Sequence, residues 1–246
     1  MSLEQAVVFR EHPIEWTDEK VARIWDYFAR TSNTYFSQVF GARILRKSGL
    51  RLQQELRVLD FGCGPGFMWE HLQSLGAKWE YTGLDFSPET VQILRRKAQG
   101  HPLFAGVQLV SQLPTDVDDQ AFDVVLLTEV VEHLKDDHLD GTLREAARTL
   151  KKGGSLLVTT PNQEDLSAST QLCPDCGALF HVWQHVRSWS VASLSAEVEQ
   201  FGFKLHTAHT LDLGVHGPLR TAIHLGRKLL GRPKLAPHMI AVFERR

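Results

Sequence analysis

The sequence predicts an α/β protein with a mostly parallel sheet and helices on both of its faces. Short runs rich in β-branched residues alternate with helix-like stretches, in the order LRVLDF, WEYTGLDF, VQLVS, FDVVLLT and GSLLVTT. A glycine-rich turn follows the first of these runs, which is typical of a strand that leads into a helix beside a ligand. Strands that alternate with helices indicate βαβ units and therefore parallel pairing.

Length and composition fit one medium-sized globular protein, with 246 residues, 43% hydrophobic and 23% charged. The formal net charge of -2 gives no overall reason to expect nucleic acid or an anionic membrane as partner. The N-terminus lacks the pattern of a signal peptide, and no apolar run approaches the roughly 18 residues that span a bilayer. We therefore expect a cytoplasmic protein with no transmembrane segment. The sequence carries no signal for an oligomeric state.

Helices are predicted near the N-terminus and strands near the C-terminus. The periodicity of apolar residues predicts helices at residues 16–30 and 35–47, which form a helical lead-in or lid at residues 1–50. Residues 51–246 then form the ligand-binding domain. Its last strands are predicted at residues 203–213 and 238–244, with a basic, partly amphipathic stretch at residues 219–234 that we expect to cap them.

The glycine-rich turn reads DFGCGPG at residues 60–66. Glycines leave the backbone open to close approach by a ligand, and the following helix offers its N-terminus to that ligand. A nicotinamide dinucleotide fingerprint would need its third glycine at position 67, which is Phe67. The turn therefore disfavours a nicotinamide dinucleotide as the ligand.

Asp85 ends the second predicted strand and precedes a helix start at Ser87 and Pro88. A carboxylate at this strand tip can accept two hydrogen bonds from a ribose diol. The alternative is an acid that only caps the helix, but Ser87 already supplies a cap. We therefore interpret Asp85 as the ribose ligand.

Four motifs in order, VLDFGCGPG, GLDFS, FDVVLLTEVVEHL and LKKGGSLLVTTPN, resemble those of the class I S-adenosylmethionine-dependent methyltransferases. The resemblance is strong over residues 50–165. It implies a Rossmann-like, seven-stranded, mostly parallel sheet whose last strand is antiparallel, with the final two strands as a hairpin-like pair. It also implies S-adenosylmethionine as cofactor and an enzyme that transfers its methyl group.

Cofactor residues follow from this resemblance by position. Gly62, Gly64 and Gly66 would face the methionine part, Asp60 would order its amino group directly or through water, and Asp85, next to Phe86, would hold the ribose. Thr128 and Glu129 would border the sulfonium. The family places an acidic residue after the third strand to bind adenine, but here the chain reads VSQL, so that either Ser111 or Gln112 takes that place.

Histidines are the candidate catalytic residues. Methyl transfer from a sulfonium needs orientation and, for a hydroxyl acceptor, sometimes a base. His133, His181 or His185 can supply such a base, and we take His133 and His185 as the predicted pair.

The string EVVEHL places Glu129, Glu132 and His133 on one face of a predicted helix, where they can hold a divalent ion with a later histidine such as His185. It is similar to the metal motif of small-RNA 3′-terminal ribose 2′-O-methyltransferases. A near-identical string occurs in ubiquinone-pathway O-methyltransferases. Because there is no basic stripe with interleaved aromatic residues, nucleic acid is not the favoured partner.

A second metal constellation is predicted at residues 171–187, where CPDCG precedes two histidines. Two thiolates and two imidazoles suit tetrahedral zinc, which gives Cys173, Cys176, His181 and His185 as a loop staple. The alternative is a pair of reduced cysteines with surface histidines.

Aromatic residues of the lead-in complete the prediction. We expect Trp25 and Phe28 to belong to the core, and Tyr35 and Phe36 to face the cofactor. The leading hypothesis is methyl transfer to an oxygen of a small-molecule or glycan-precursor acceptor. The alternatives are a metal-dependent RNA 3′-terminal ribose 2′-O-methyltransferase and a non-catalytic cofactor- or zinc-binding interaction module.

Overall fold

A computed structural model describes residues 10–31, 35–214, 226, 230 and 236–246. In chain order its elements are β1 (His12–Pro13), α1 (Asp18–Thr31), α2 (Phe36–Ser48), β2 (Leu56–Phe61), α3 (Phe67–Ser74), β3 (Trp79–Asp85), α4 (Pro88–Ala98), β4 (Phe104–Leu109), β5 (Phe122–Thr128), α5 (Asp136–Thr149), β6 (Leu150–Pro161), a 3-10 turn (Leu166–Ser169), β7 (Thr170–Leu172), β8 (Ala178–His181), α6 (Val191–Glu199), β9 (Phe203–Leu211) and β10 (His238–Arg245).

The main sheet has seven strands in the order β4-β3-β2-β5-β6-β10-β9. Strands β2 to β6 pair in parallel, whereas β10 runs antiparallel to both β6 and β9. The predicted seven-stranded sheet with an antiparallel last strand is therefore confirmed. The sheet order reverses at β2, so that the glycine turn after β2 lies at the switch point where open α/β sheets bind ligands.

Two apolar clusters cover the two faces of this sheet. Alternate residues of one strand enter different clusters, as Val58 and Leu59 do. Helices α5 and α6 pack on the face of Leu59, and helices α2, α3 and α4 pack on the face of Val58. Ile44 and Leu45 of α2 are buried in this second cluster, so the second helix of the lead-in shares the core of the domain.

A second, three-stranded sheet was not predicted. It has the order β1-β8-β7, with β7 and β8 forming an antiparallel hairpin and β1 pairing in parallel with β8. The hairpin follows β6 and lies beside the carboxyl ends of the main strands.

Two sequence predictions of local structure are corrected. The third strand is Phe104–Leu109 instead of 107–111, because Val110 and Ser111 leave the sheet. Glu129, Glu132 and His133 do not share a helix face: Glu129 has a left-handed φ of 55°, a turn follows, and α5 begins only at Asp136.

The basic stretch at residues 219–234 lies outside the described residues, apart from Gly226 and Leu230. Among the helices that the structure describes, none is both long enough and apolar enough to cross a lipid bilayer.

Candidate active site

A cavity of about 1400 Å³ opens at the carboxyl ends of the parallel strands. The turns after β2, β3, β5 and β6 line it from below, α1 and the start of α2 line it from above, and the segment after β8 closes one end. Its walls combine aromatic rings with a few convergent polar groups, which is the usual composition of a small-molecule site.

The glycine turn forms the floor of the cavity. The amides of Gly62 and Cys63 donate to the carbonyl oxygen of Leu84 at 2.8 and 3.0 Å, which fixes the turn against β3. Gly62 and Gly64 line the cavity and have left-handed φ values of 79° and 51°. A side chain at either position would be strained, so glycine keeps the backbone accessible here.

Gly66 and Asp60 do not line the cavity, which corrects the predicted contact of Gly66 with the methionine part and leaves Asp60 only its predicted role through water. Gly66, at the start of α3, does not line the cavity, and a Cβ there would lie 2.4 Å from Cδ1 of Leu94. Its glycine is needed for helix packing. Asp60 is 1% exposed and lies beneath the floor.

Asp60 accepts a hydrogen bond of 2.6 Å from the hydroxyl of Tyr81. Burial raises the pKa of Asp60 to about 7, against the lowering effect of that hydrogen bond, and the charge of Asp85 raises it further. The carboxyl can therefore influence a bound amino group only through the turn or through water.

Asp85 lies in the cavity wall and also organises the turns around it. Its Oδ2 accepts from the amide of Gly64 at 2.8 Å, and its Oδ1 accepts from the Ser87 amide and the Thr90 hydroxyl, both at 2.9 Å. Burial raises its pKa, although these three donors lower it. A carboxylate has about four lone-pair sites, so capacity for a ligand hydroxyl remains. Ser87 caps α4 as predicted.

Ser111 and Gln112, in the segment after β4, line the same cavity as Asp85 and Phe86. Three residues beyond Gln112, the amide and hydroxyl of Thr115 donate to Glu145, and Arg148 donates to the carbonyl oxygen of Thr115. These bonds attach the segment to α5.

The opposite end of the cavity is acidic. Thr128 and Glu129 line the cavity, and the Glu129 carboxylate accepts from the Thr159 hydroxyl at 2.7 Å. Glu132 is 1% exposed, and neither of its oxygens has a hydrogen bond of normal geometry among the described residues. Burial and the nearby Glu129 charge raise the pKa of Glu132 well above its usual value. Such an unpaired buried carboxyl is costly unless it is protonated or meets a cation.

Three histidines and a further carboxylate, Glu164, form two groups of potential ligands at this end, and the groups share His185. Atoms of Glu132, His133 and His185 lie within 4.8 Å of one another, and so do atoms of Glu164, His181 and His185. Nδ1 of His185 lies 2.6 Å from Oε2 of Glu164, while Nε2 of His181 lies 3.4 Å from Oε1. Burial and the neighbouring His185 lower the pKa of His133 to about 3, so its ring is neutral near pH 7.

The predicted pair His133 and His185 is thus brought together, with ring centroids 4.8 Å apart. The four-ligand zinc staple is not formed, which corrects that prediction. In the β7–β8 hairpin His181 pairs with Thr170, whereas Cys173 and Cys176 lie in the turn three residues further along. At about 3.4 Å per residue the turn is roughly 10 Å from His181. In the described part of the chain, neither cysteine belongs to a group of three close ligands.

Aromatic side chains cover the cavity. Trp25 and Phe28 are only partly buried and line it, which corrects their assignment to the core. Trp25 contacts the His133 ring edge-on, with centroids 4.8 Å apart, and Phe28 packs on Trp183 at 5.3 Å. Tyr35 and Phe36 also line the cavity.

Comparison with known proteins agrees with this geometry. Residues 16–208 match the family described as "Methyltransferase domain", which is more than half of the chain. The chain belongs to this family. The methyltransferase family and the S-adenosylmethionine cofactor that the four motifs predict are confirmed.

Curated relatives of this methyltransferase domain are ubiquinone biosynthesis O-methyltransferases. The mouse mitochondrial protein is 38% identical over 120 residues, which cover 46% of this chain and 30% of the relative. The Xanthomonas euvesicatoria protein is 37% identical over 113 residues, 44% of each chain. The Azorhizobium caulinodans protein is 32% identical over 164 residues, 63% of this chain and 62% of the relative. The chain thus spans less than half the length of the first two relatives.

Solved structures share the fold of this methyltransferase domain. A chain of the complex between the Haloferax volcanii Trm112 methyltransferase activator and a methyltransferase has a TM-score of 0.63 at 20% identity, over 89% of this chain and 96% of that one. An Archaeoglobus fulgidus SAM-dependent methyltransferase has a TM-score of 0.59 at 19% identity, over 85% and 95%.

Sequence reasoning missed three residues at the carboxylate–histidine end of the cavity. Glu164 binds His185, Trp183 stacks on Phe28, and Gln184 accepts from Nε1 of Trp25 at 3.1 Å. Glu164 follows β6, so its position at the carboxyl end of a strand was a usable signal. Trp183 and Gln184 reach the cavity through the unpredicted hairpin.

Proposed function

We propose that this chain transfers the methyl group of S-adenosylmethionine to a hydroxyl oxygen of a small-molecule acceptor. The observation that carries the proposal is that one cavity joins the glycine turn to the carboxylate–histidine cluster. The O-methyltransferase relatives support an oxygen acceptor. Their partial coverage makes the acceptor of the whole protein part of this proposal.

The cofactor fits the end of the cavity that contains Asp85. Gly62 and Gly64 leave room for the methionine part, Asp85 holds the ribose diol, and Gln112 with Ser111 binds the adenine edge. Thr128 offers a buried hydroxyl that has no partner among the described residues and borders the sulfonium. When bound, the cofactor supplies the electrophilic methyl group, and the protein supplies orientation.

The acceptor lies at the end formed by Glu132, His133 and His185, below Trp25 and Trp183. We propose that these three ligating residues hold a divalent cation, because Glu132 is buried, neither of its oxygens has a hydrogen bond of normal geometry among the described residues, and a ring nitrogen of each histidine lies within 4.8 Å of it. A cation there would act as a Lewis acid on the acceptor hydroxyl. Glu164 accepts the Nδ1 proton of His185, which leaves Nε2 of that ring free to bind.

Donor binding is tested by calorimetric titration with S-adenosylhomocysteine. Wild type should bind in the micromolar range, and Asp85→Asn should weaken binding by about 1–3 kcal/mol, since a ribose hydroxyl loses a charged acceptor. Glu89→Gln, a partly exposed acid in the first turn of α4 that does not line the cavity, is the matched control and should bind as wild type does. Equal affinity of Asp85→Asn and wild type would contradict the ribose assignment.

Acceptor class is tested by measuring S-adenosylhomocysteine formation with small phenols and aromatic diols, which suit the aromatic walls. A short single-stranded RNA is the comparison acceptor, because a cation held by the same residues would serve an RNA 3′ end. Turnover with a phenol supports the proposal. Turnover with RNA alone would replace it by the RNA-end function.

Cation binding is tested with Mn²⁺ by electron paramagnetic resonance in the presence of S-adenosylhomocysteine. Wild type should bind one Mn²⁺, and Glu132→Gln should lose at least about tenfold in affinity because it removes the negative ligand. Glu199→Gln, exposed on α6, is the control. Retained Mn²⁺ binding in Glu132→Gln would contradict this cation site.

A further inference from the structure

The tip of the β7–β8 hairpin carries two cysteines in one tight turn. Cys173 is partly exposed and Cys176 is exposed, whereas the third cysteine, Cys63, is a buried residue of the glycine turn. The proposed methyl transfer uses neither Cys173 nor Cys176, and both lie outside the cavity.

Backbone hydrogen bonds hold this turn closed. The amide of Gly177 donates to the carbonyl oxygen of Cys173 at 2.9 Å, and the amide of Cys173 donates to the carbonyl oxygen of Ala178 at 2.8 Å. Gly177 has a left-handed φ of 81°, which lets the chain return into β8. The adjacent strand β1 adds a bond from the His12 amide to the carbonyl oxygen of Gly177 at 3.0 Å.

The two sulfur atoms lie close together inside this turn. The sulfur of Cys173 accepts from the amides of Cys176 and Asp175 and also hydrogen-bonds the Cys176 thiol. These donors, the Cys176 amide foremost, lower the pKa of Cys173. The thiolate is the reactive form of cysteine, and a lowered pKa increases the thiolate fraction of an accessible thiol.

A metal ion would need further ligands that this turn does not bring. Tetrahedral sites require four donors, and among the described residues no carboxylate or imidazole joins the two sulfur atoms in a group of three. A disulfide needs only the two sulfur atoms already present. The observations therefore favour thiol–disulfide chemistry over a metal.

We propose that Cys173 and Cys176 form a reversible disulfide, so that this turn is a redox modification site on the methyltransferase domain. The oxidant is a low-molecular-weight disulfide. The Cys173 thiolate attacks one of its sulfur atoms, breaks that S–S bond and releases one thiolate. Cys176 then loses its proton to water and attacks Cys173, which releases the second thiolate. Two protein thiols are oxidised to one disulfide while one disulfide is reduced to two thiols.

The test treats the full chain with oxidised glutathione, alkylates it with iodoacetamide under native conditions and measures intact mass. Untreated wild type should take up two carbamidomethyl groups. Treated wild type should take up none, carry no glutathione and be lighter than the untreated, unalkylated chain by two hydrogen atoms. Dithiothreitol should restore both alkylation sites. Cys63 should stay unreactive, because it is buried.

Single variants separate the two steps. Cys173→Ser and Cys176→Ser should each keep one glutathione, because no second thiol is present to release it. At pH 7, Cys173 in the Cys176→Ser variant should be alkylated at least about threefold faster than Cys176 in the Cys173→Ser variant. The reason is that the Cys173 thiolate accepts hydrogen bonds from the turn amides.

Two results would overturn the proposal. Wild type that retains glutathione on both cysteines would show that the turn cannot close the disulfide. Protein purified without added metal, with both thiols blocked until a chelator removes stoichiometric zinc, would show that the turn is a metal ligand completed from outside the described chain. Both results are read from mass alone, so they are independent of whether the proposed methyl transfer is correct.

Discussion

Gly64 and Gly66 belong to the same turn but differ in the space around their Cβ positions. Gly64 faces the cavity with open space at its Cβ position, whereas a Cβ on Gly66 would overlap Leu94. Both have positive φ, so alanine strains either by about 1 kcal/mol. Because of overpacking, the free energy of unfolding measured in urea should be lower for Gly66→Ala than for Gly64→Ala by about 1–3 kcal/mol. Gly64→Ala should instead lower the affinity for S-adenosylhomocysteine more than Gly66→Ala does. Equal effects on both measurements would contradict this division of roles.

The raised pKa of Asp60 predicts that the stability of the protein depends on pH. Its folded pKa of about 7 lies above the ordinary value of 3.8, so the folded state holds a proton that the unfolded state releases. The stability that this proton contributes is present at low pH and is lost as pH rises from about 4 to 7.

Asp60→Asn removes this titration while its amide oxygen can still accept from Tyr81. Its free energy of unfolding, relative to wild type, should therefore rise with pH over that window, by at most about 4 kcal/mol. Urea unfolding of the ligand-free protein from pH 4 to 8 measures this difference. A constant difference would show that folding does not shift the titration of Asp60.

Helix α1 is an element attached by few contacts. None of its residues is buried, and its polar attachments to the domain include Trp25 to Gln184 and the bond from the Ser87 hydroxyl to Asp26. Elements with little buried apolar area open locally at low free energy. Amides of α1 should exchange hydrogen much faster than those of β5.

Bound S-adenosylhomocysteine should slow exchange in α1, because Trp25 and Phe28 line the cavity that it occupies. Asp26→Ala should speed exchange in α1 and leave β5 unchanged. Exchange in α1 as slow as in β5 would show instead that this helix is part of the core.

Elements with a strong local pattern were predictable, and those shaped by tertiary contacts were not. The β-branched runs of β5 and β6 are buried on both faces, so their composition alone indicates parallel strands. The segment after β5 has helix-like spacing, yet the Glu129 amide donates to the Thr159 carbonyl oxygen of the adjacent strand, which holds the chain in a turn. Sequence spacing contains no signal for that cross-strand bond.

At the scale of the whole molecule, the glycine-turn end of the cavity was predictable because two consecutive motifs form it. Gly62, Gly64 and Asp85 lie within 24 residues and meet at neighbouring strands. The carboxylate–histidine end of the cavity is formed by α1, the turn after β5 and the segment after β8, which come from distant parts of the chain. The zinc-bound loop that the sequence predicts there is not formed. The segment is a β-hairpin, and its strand pairing separates the cysteines from the histidines.

Stability and activity of the whole molecule should therefore respond differently to metal removal. The core consists of two apolar clusters on a seven-stranded sheet, and no described group of metal ligands lies within them. Treatment with EDTA should leave Tm unchanged and lower the methyl-transfer rate about tenfold or more, since it removes only the proposed Lewis acid. S-Adenosylhomocysteine at 100 times its Kd should still raise Tm by roughly 5–10 °C in EDTA. Unfolding by EDTA would reveal a structural metal, and an unchanged rate would remove the cation from the proposed reaction.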